Sequence, residues 1–292
     1  MQTQIIEQKD KNIDDSFTIS DKAFAGFQSL IYKAAGISMS DGKKPLVSGR
    51  LAKRLRAHGM KSFDEYLDYI TKGDGADNSE FQIFVDLLTT NETYFYREPQ
   101  HFEFLKREIL AKHDPSKLLR VWSAASSSGE EAYTLAMIIS DMLGLRANWE
   151  IIGTDISTTM IAAAQKAIYN EHRVRLVPND MRYKYLLRGS DKYHGYVAVA
   201  PELKKHVRFE HYNLVESTPR KEMFDVIFCR NVLIYFDKNT KIKVLERLCA
   251  QLKSGSYLMT GHSESLHGMV PQLKSIKPSV YLKKKPDLRT SQ

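Results

Sequence analysis

Two apolar runs that end in polar turns constrain this chain more than anything else in it. Val121-Trp122-Ser123 runs into Ala124-Ala125-Ser126-Ser127-Ser128-Gly129 and then Glu130-Glu131. Phe224–Cys229 runs into Arg230-Asn231 and on to Tyr235-Phe236-Asp237. Each reads as a buried strand that stops at a turn and enters a helix. In an open α/β sheet, ligands sit outside the carboxyl ends of such strands. The chain around them alternates. A helix over Pro99–Lys112 is followed by a strand near Leu118–Ser123, a helix over Gly129–Leu143, a strand over Trp149–Asp155 and a helix over Ser157–Ile168. This rhythm implies a parallel sheet built from βαβ units. Residues 172–212 break it. Tyr193–Val199 alternates in the strand manner, with His206–Tyr212 as its expected partner, so the stretch reads as an inserted antiparallel β-subdomain. The rhythm resumes with Phe224–Cys229, a helix over Asn239–Lys253 stopped by Gly255, and strands at Ser256–Gly261 and Ser279–Lys283.

The first ninety residues carry only helical periodicity. Ser20-Asp21 caps a helix with Phe24, Phe27 and Ile31 on one face, closed by Gly36. Val47, Leu51 and Leu55 mark a second helix. Ser62 and Glu65 form a capping box before a third, which Gly73 ends, and Ser79 and Gln82 repeat the pattern before a fourth. Asp74–Asn78 reads as a loop. The expected organisation is therefore a small all-α domain over residues 1–88, then an α/β domain over 89–292.

The chain has 292 residues and a net charge of +8, which favours an acidic partner. The charge is concentrated. No acid lies between Asp41 and Asp64, where Lys43, Lys44, Arg50, Lys53, Arg54, Arg56 and Lys61 all fall. Lys283-Lys284-Lys285 has the composition of a solvated tail. Met1–Asp15 is polar and unlike a signal peptide, and no apolar run is long enough for a membrane span. The two cysteines, Cys229 and Cys249, lie in no Cys-x-x-Cys or Cys/His cluster. Buried thiols in a reducing cytosol account for them, so neither a disulfide framework nor a zinc site is expected.

The first turn narrows the ligand. Small side chains let a ligand approach the backbone, and the following helix offers free N–H groups. A pyrophosphate would call for Gly-x-Gly-x-x-Gly, but the turn has one glycine and two acids after it. Carboxylates repel a pyrophosphate and suit an α-ammonium group, which argues against NAD or ATP and for a cofactor such as S-adenosylmethionine. An ordinary capped helix accounts for the same residues equally well. Asp155, ending its strand, can accept two ribose hydroxyls or cap the next helix. Asn213-Leu214 can read an adenine edge and ring, or serve as a turn. Arg230 and Asn231 beside an apolar strand need partners, whereas Tyr235 alone can be core.

Asn91-x-Thr93-x-Phe95-x-Arg97-Glu98, Ser123-Ala124-Ala125-x-Ser127-x-Gly129-Glu130-Glu131, Asp155, Phe228-Cys229-Arg230-Asn231-Val232-x-Ile234-Tyr235-Phe236-Asp237 and Gly261-His262-Ser263-Glu264 occur in this order. Together they resemble the CheR-type chemotaxis receptor methyltransferases over nearly the whole chain. The resemblance implies a Rossmann-like S-adenosylmethionine-dependent methyltransferase domain with an inserted antiparallel β-subdomain, preceded by a helical domain. It implies a cytoplasmic, monomeric enzyme that esterifies glutamate side chains on the cytoplasmic domain of methyl-accepting chemoreceptors and releases S-adenosylhomocysteine. Such an enzyme meets the membrane only through its receptors and binds no nucleic acid. Around the cofactor it puts Asn91, Thr93, Arg97, Glu131, Asp155, Asn213, Leu214, Arg230 and Asn231, with Arg97 and Tyr235 at the reacting centre and no metal. Arg50, Lys53, Arg54 and Arg56 would then dock the receptor. Tyr96 stands where the family usually has Phe, and Ala132 where Pro is common. The basic helix also fits a nucleic-acid methyltransferase, although no aromatic–proline motif for a flipped base follows Phe224–Cys229. A non-catalytic S-adenosylmethionine-sensing module that binds receptors is the third reading.

Overall fold

A computed structural model describes residues 17–72 and 79–285. The chain divides into two compact units, Met1–Thr90 and Asn91–Gln292.

The first unit holds α1 (Asp21–Ala35), α2 (Lys44–Ala57), α3 (Phe63–Lys72) and α4 (Ser79–Leu88). Its boundaries follow capping chemistry. Ser20 Oγ accepts from the Ala23 N–H at 2.9 Å, and Gly36 closes α1 at φ 70° with its N–H on the Tyr32 carbonyl. The Glu65 N–H donates to Ser62 Oγ at 3.2 Å, while the Glu65 carboxylate accepts from Lys61 N–H rather than from Ser62. Phe27, Ile31, Val47, Leu51, Leu55, Phe63, Tyr66, Ile70 and Phe84 are buried. Gly73 and the loop over Asp74–Asn78 lie outside the described residues.

The second unit contains α5 (Gln100–Phe104), β1 (Leu119–Ser123), α6 (Glu130–Leu143), β2 (Trp149–Asp155), α7 (Thr158–Lys166), β3 (Ile168–Asn170), α8 (Asn179–Tyr185), β4 (Leu186–Arg188), β5 (Tyr196–Val199), α9 (Pro201–Lys204), β6 (Val207–His211), β7 (Phe224–Cys229), α10 (Lys238–Gln251), β8 (Leu252–Thr260), β9 (Leu273–Lys277) and β10 (Val280–Lys283). Helix α5 continues through a π-turn at Leu105–Ile109 and a 3₁₀ turn at Leu110–Lys112, filling the expected helical span. A seven-stranded sheet runs in the order β6-β2-β1-β7-β8-β10-β9. Strands β6, β2, β1, β7 and β8 are mutually parallel, and β10 is antiparallel to β8 and β9. The apolar runs of β1, β2 and β7 are buried along most of their length, as parallel strands covered on both faces must be.

Three expectations need correction. His206–Tyr212 does not pair with Tyr193–Val199. Instead β6 joins the main sheet parallel to β2, Ile151 opposite Val207 through Asp155 opposite His211. An edge strand of a parallel sheet is half covered, so its alternation matches that of an antiparallel ribbon. The separate antiparallel sheet is β3-β5-β4, within residues 168–199. Gly255 does not stop a helix, because α10 ends at Gln251 and β8 begins at Leu252. Gly255, at φ 80°, sits where the β7–β8 register jumps from Phe224↔Leu252 to Val226↔Tyr257. A bulge and a helix stop draw on the same freedom of glycine. Strand β9 gave no signal, being largely exposed and carrying Lys274, Ser275 and Lys277.

Candidate functional site

The parallel strands β1, β2, β6 and β7 deliver Ala124–Gly129, Asp155, Asn213-Leu214 and Arg230–Tyr235 to one edge. Placing β6 in this sheet is what brings Asn213 there, and the Tyr212 N–H bonds the Asp155 carbonyl at 2.9 Å. The first turn is built tightly. Ser126 N–H reaches the Thr154 carbonyl at 2.8 Å, and Ala124 N–H the Phe228 carbonyl at 2.7 Å. Ser127 takes a left-handed φ of 48°. Gly129 sits at φ 95°, where an added Cβ would lie 2.9 Å from Ala164 Cβ and 3.0 Å from Tyr169 Oη, so only glycine fits.

Asp155 ends its strand in a brace rather than in a helix cap, since Ser157 is the N-cap of α7. Its carboxylate accepts from Ser127 N–H and Ser157 N–H, each at 2.9 Å, tying the turn to β2. Asn213 makes a turn, its Oδ1 accepting from Val215 N–H at 2.9 Å, while Leu214 packs in the cluster around Trp122 and Ile152.

Arg230 is the hub. It is 6% exposed and leaves β7 into a ring of acceptors. Nη1 donates to Glu131 at 2.8 Å, and Nη2 to Glu98 at 3.0 Å and to the Arg97 carbonyl at 2.5 Å. Its guanidinium lies over the Phe102 ring, 5.6 Å from the centroid. Burial alone would raise the Glu98 carboxyl, but the Arg230 charge together with the hydrogen bonds from Arg230 and Asn231 outweighs it and holds the carboxyl below the usual carboxylate range. Glu131 also accepts from Ser123 Oγ at 2.7 Å. Glu130 is fully buried, bonded to Arg173 at 2.6 Å and Ser128 at 2.7 Å, so of the two acids it does not face a ligand. Arg173 further donates to the Thr93 carbonyl, and Ser127 Oγ to the Asn91 carbonyl. Buried Phe95, edge-on to Tyr169 at 4.9 Å, and Tyr96, against Phe102 at 5.6 Å, anchor this segment. Asn91, Thr93 and Arg97 are left half-exposed between them. Arg97 donates to the Glu92 carbonyl at 2.6 Å. Tyr235 is half-buried in a 3₁₀ turn over Leu233–Tyr235.

Three contributors had no role assigned from the sequence, although the motifs contain two of them, Glu98 and Glu264. Glu264 is 5% exposed and accepts from Asn231 N–H at 2.7 Å, Ile234 N–H at 3.2 Å and Gly261 N–H at 2.6 Å. Burial outweighs these bonds and raises its carboxyl. It fixes Asn231 in a left-handed φ of 58°. Glu98 accepts from Asn231 Nδ2 at 3.2 Å as well as from Arg230. His101 is 2% exposed, and burial with the Arg230 charge pushes its imidazole down to about 3. Only Glu264 carried a signal, as a carboxylate four residues past the end of β8.

Of the expected docking residues, Arg50 and Arg54 are already engaged within the helical unit. Arg50 donates to the Leu87 and Thr89 carbonyls at 3.1 and 3.0 Å, capping α4. Arg54 makes two bonds to Glu80, 2.8 and 2.5 Å, and Glu80 is 4% exposed. Lys53 and Arg56 are exposed.

Ser126 Oγ and Arg230 Nε are buried without a hydrogen-bond partner among the described residues, at the strand edge where a ligand binds. A Rossmann-like sheet with this edge and an acid ending its second strand defines the class, an S-adenosylmethionine-dependent methyltransferase. The family described as CheR methyltransferase, SAM binding domain, matches residues 91–282, and its all-alpha domain matches residues 22–89. The chain belongs to the CheR methyltransferase family, with S-adenosylmethionine as cofactor. It is similar to the chemotaxis protein methyltransferase of Salmonella typhimurium, 36% identical over 282 residues, covering 96% of this chain and 95% of that protein. The protein of the same description from Borreliella burgdorferi is 39% identical over 265 residues, covering 87% and 91%. That of Escherichia coli is 37% identical over 253 residues, covering 86% and 87%. No helix among the described residues is long and apolar enough to cross a membrane.

Proposed function

We propose that this enzyme esterifies glutamate side chains on the cytoplasmic helices of chemoreceptors, acting as a cytoplasmic monomer. The reading is carried by the convergence of the Ala124–Gly129 turn, Asp155, Asn213 and the Arg230–Asn231 corner on one sheet edge, beside the Asn91–Arg97 segment. S-adenosylmethionine supplies an electrophilic methyl on a sulfonium that leaves as a neutral thioether. A glutamate carboxyl has an ordinary pKa near 4.3, so it is already the anion at neutral pH and needs no general base. Position is what the protein must add. Orienting the oxygen in line with the methyl supplies about 7–11 kcal/mol of barrier reduction.

Asp155, which braces Ser127 and Ser157, would hold the ribose hydroxyls of the bound cofactor. Leu214 packs beside adenine, with Asn213 at the purine edge. Glu131, oriented by Ser123 and Arg230, would hold the α-ammonium group. Asn91 and Thr93 line the amino-acid end of the cofactor. Arg97 attracts the incoming carboxylate and Tyr235 hydrogen-bonds it. Among the described residues no side-chain hydrogen bond engages the Tyr235 hydroxyl. Arg230 and Asn231 act from behind, holding Glu131, Glu98 and the Arg97 backbone in place.

The test is labelled-methyl transfer from S-adenosylmethionine to receptor-rich membranes and, in parallel, to RNA. The expected product is a receptor ester that releases methanol in mild base. Label in RNA, or base-stable label on protein, would defeat the reading.

A further inference from the structure

Outside the residues that the methyl transfer uses directly, one cluster has unspent coordination chemistry. Glu98 and His101 are three residues apart at the start of α5, and the chain returns at His262, just after β8. Glu98 Oε2 lies 3.6 Å from His101 Nδ1 and 4.0 Å from His262 Nε2. One ligand atom from each residue falls within 4.8 Å of the others. The two imidazole rings lie 5.0 Å apart between centroids, tilted by 47°. His101 is buried, and both of its ring nitrogens lack a hydrogen-bond partner among the described residues. A buried imidazole in that state calls for something else to bind it. Two nitrogens and a carboxylate oxygen are a donor set for a borderline divalent ion. Bonds of 2.0–2.2 Å in a tetrahedron place ligand atoms about 3.4 Å apart. Closing the observed distances takes a small swing of His262, whose side chain is 47% exposed and opens the site to solvent. Glu98 is the one carboxylate of the cluster and its charge is offset by Arg230, so a cation finds its anionic ligand there by displacing the guanidinium.

We propose that Glu98, His101 and His262 bind one divalent transition-metal ion of the Zn²⁺ class, with a solvent-facing fourth position, and that the ion competes with Arg230 for Glu98. The competition follows from geometry, because the oxygen nearest both histidines, Glu98 Oε2, is also the one that accepts from Arg230 Nη2 at 3.0 Å. An ion there loosens the guanidinium that holds Glu131 and the Arg97 carbonyl. The site is therefore a brake on methyl transfer rather than part of it. Only this second half rests on the function proposed above.

The probe is Co²⁺ alone, titrated into the full-length metal-free protein and followed by its visible ligand-field absorption, with Zn²⁺ added to bleach the band. Saturation at one ion per chain is expected. His262→Ala, at a solvent-exposed ring, should bind at least about tenfold more weakly. His194→Ala, at an exposed histidine elsewhere, should bind as the parent does. No saturable band, or a His262→Ala variant that titrates like the parent, overturns the site; a buried water on His101 would then be the answer. Receptor methylation by the parent should fall as the band fills. A filled band with undiminished methylation overturns the competition with Arg230 and leaves the binding result standing by itself.

Discussion

A single methyl group would probe the corner that holds Asn231. Gly261 has no side chain because none fits, since an added Cβ would lie 2.6 Å from Asn231 Nδ2, 2.8 Å from Glu264 Oε2 and 3.0 Å from Asn231 N. Gly261→Ala must push the Asn231 backbone off Glu264, and overpacking of this kind costs about 1–3 kcal/mol. Calorimetry with S-adenosylhomocysteine should show at least about tenfold weaker binding, which equals about 1.4 kcal/mol. Gly49→Ala is the contrast, in α2 with nothing within 4 Å of the added carbon; helix propensity predicts stabilisation of up to about 1 kcal/mol and unchanged affinity. Equal affinities for the two variants would remove Asn231 from the cofactor site. At this scale the sequence was informative about positions and silent about partners. Asp155, Arg230 and Asn231 were recognisable because each is a polar residue ending an apolar strand. That Arg230 commits its guanidinium to Glu131 and Glu98 was not, because those acids lie 99 and 132 residues away along the chain. Glu98, His101 and His262 were invisible as a group for the same reason. His262 is fixed next to a sheet strand and the other two at a helix start, so only the closed fold makes them neighbours.

Helix α4 shows what an element needs when its pattern places a charge inside. Glu80 lies buried beside Phe84 on the face that packs the helical unit. It accepts from Arg54 and from the Tyr66 hydroxyl at 2.8 Å, with His58 Nε2 3.1 Å away. Burial by itself would raise its carboxyl, but the hydrogen bonds from Arg54, Tyr66 and His58 outweigh burial and hold it below the usual range. Because the folded value is depressed, the stability Glu80 contributes is complete above its unfolded pKa and is lost as pH falls through the folded one. Thermal melts from pH 7 downward should therefore show a loss in acid that Glu80→Gln flattens. Arg54→Ala should cost about 3 kcal/mol, the low end for breaking a buried pair, since Arg54 is 26% exposed. A melt of Arg54→Ala indistinguishable from the parent would show that the pair contributes nothing. The elements themselves were largely readable. Capping residues with periodic apolar faces mark α1, α3 and α4, a periodic apolar face alone marks α2, and apolar runs mark β2 and β7. Strand β6 was readable as a strand but not as a member of the main sheet, since alternation reports half-burial and not the identity of the neighbour.

Over the whole molecule the excess charge of +8 acts on encounter. The basic run on α2 concentrates it, but its members do different work. Arg50 and Arg54 hold the helical unit together, so neutralising them would confound docking with folding. Lys53 and Arg56 are exposed, and under the proposed function they would steer an acidic receptor helix. Exposed charges interact over about 8–10 Å at physiological salt, so their effect on association must weaken as salt is added. The double variant Lys53→Gln with Arg56→Gln should lower kcat/KM for receptor methylation at low ionic strength and flatten its dependence on salt. At high salt parent and variant should converge. Affinity for S-adenosylhomocysteine should not change, because Asp155, Glu131 and Asn231 belong to the other unit. A variant with the parent's salt profile would assign the steering to another surface. A variant that loses cofactor affinity as well would mean that α2 supports the methyltransferase unit and does not act only at encounter.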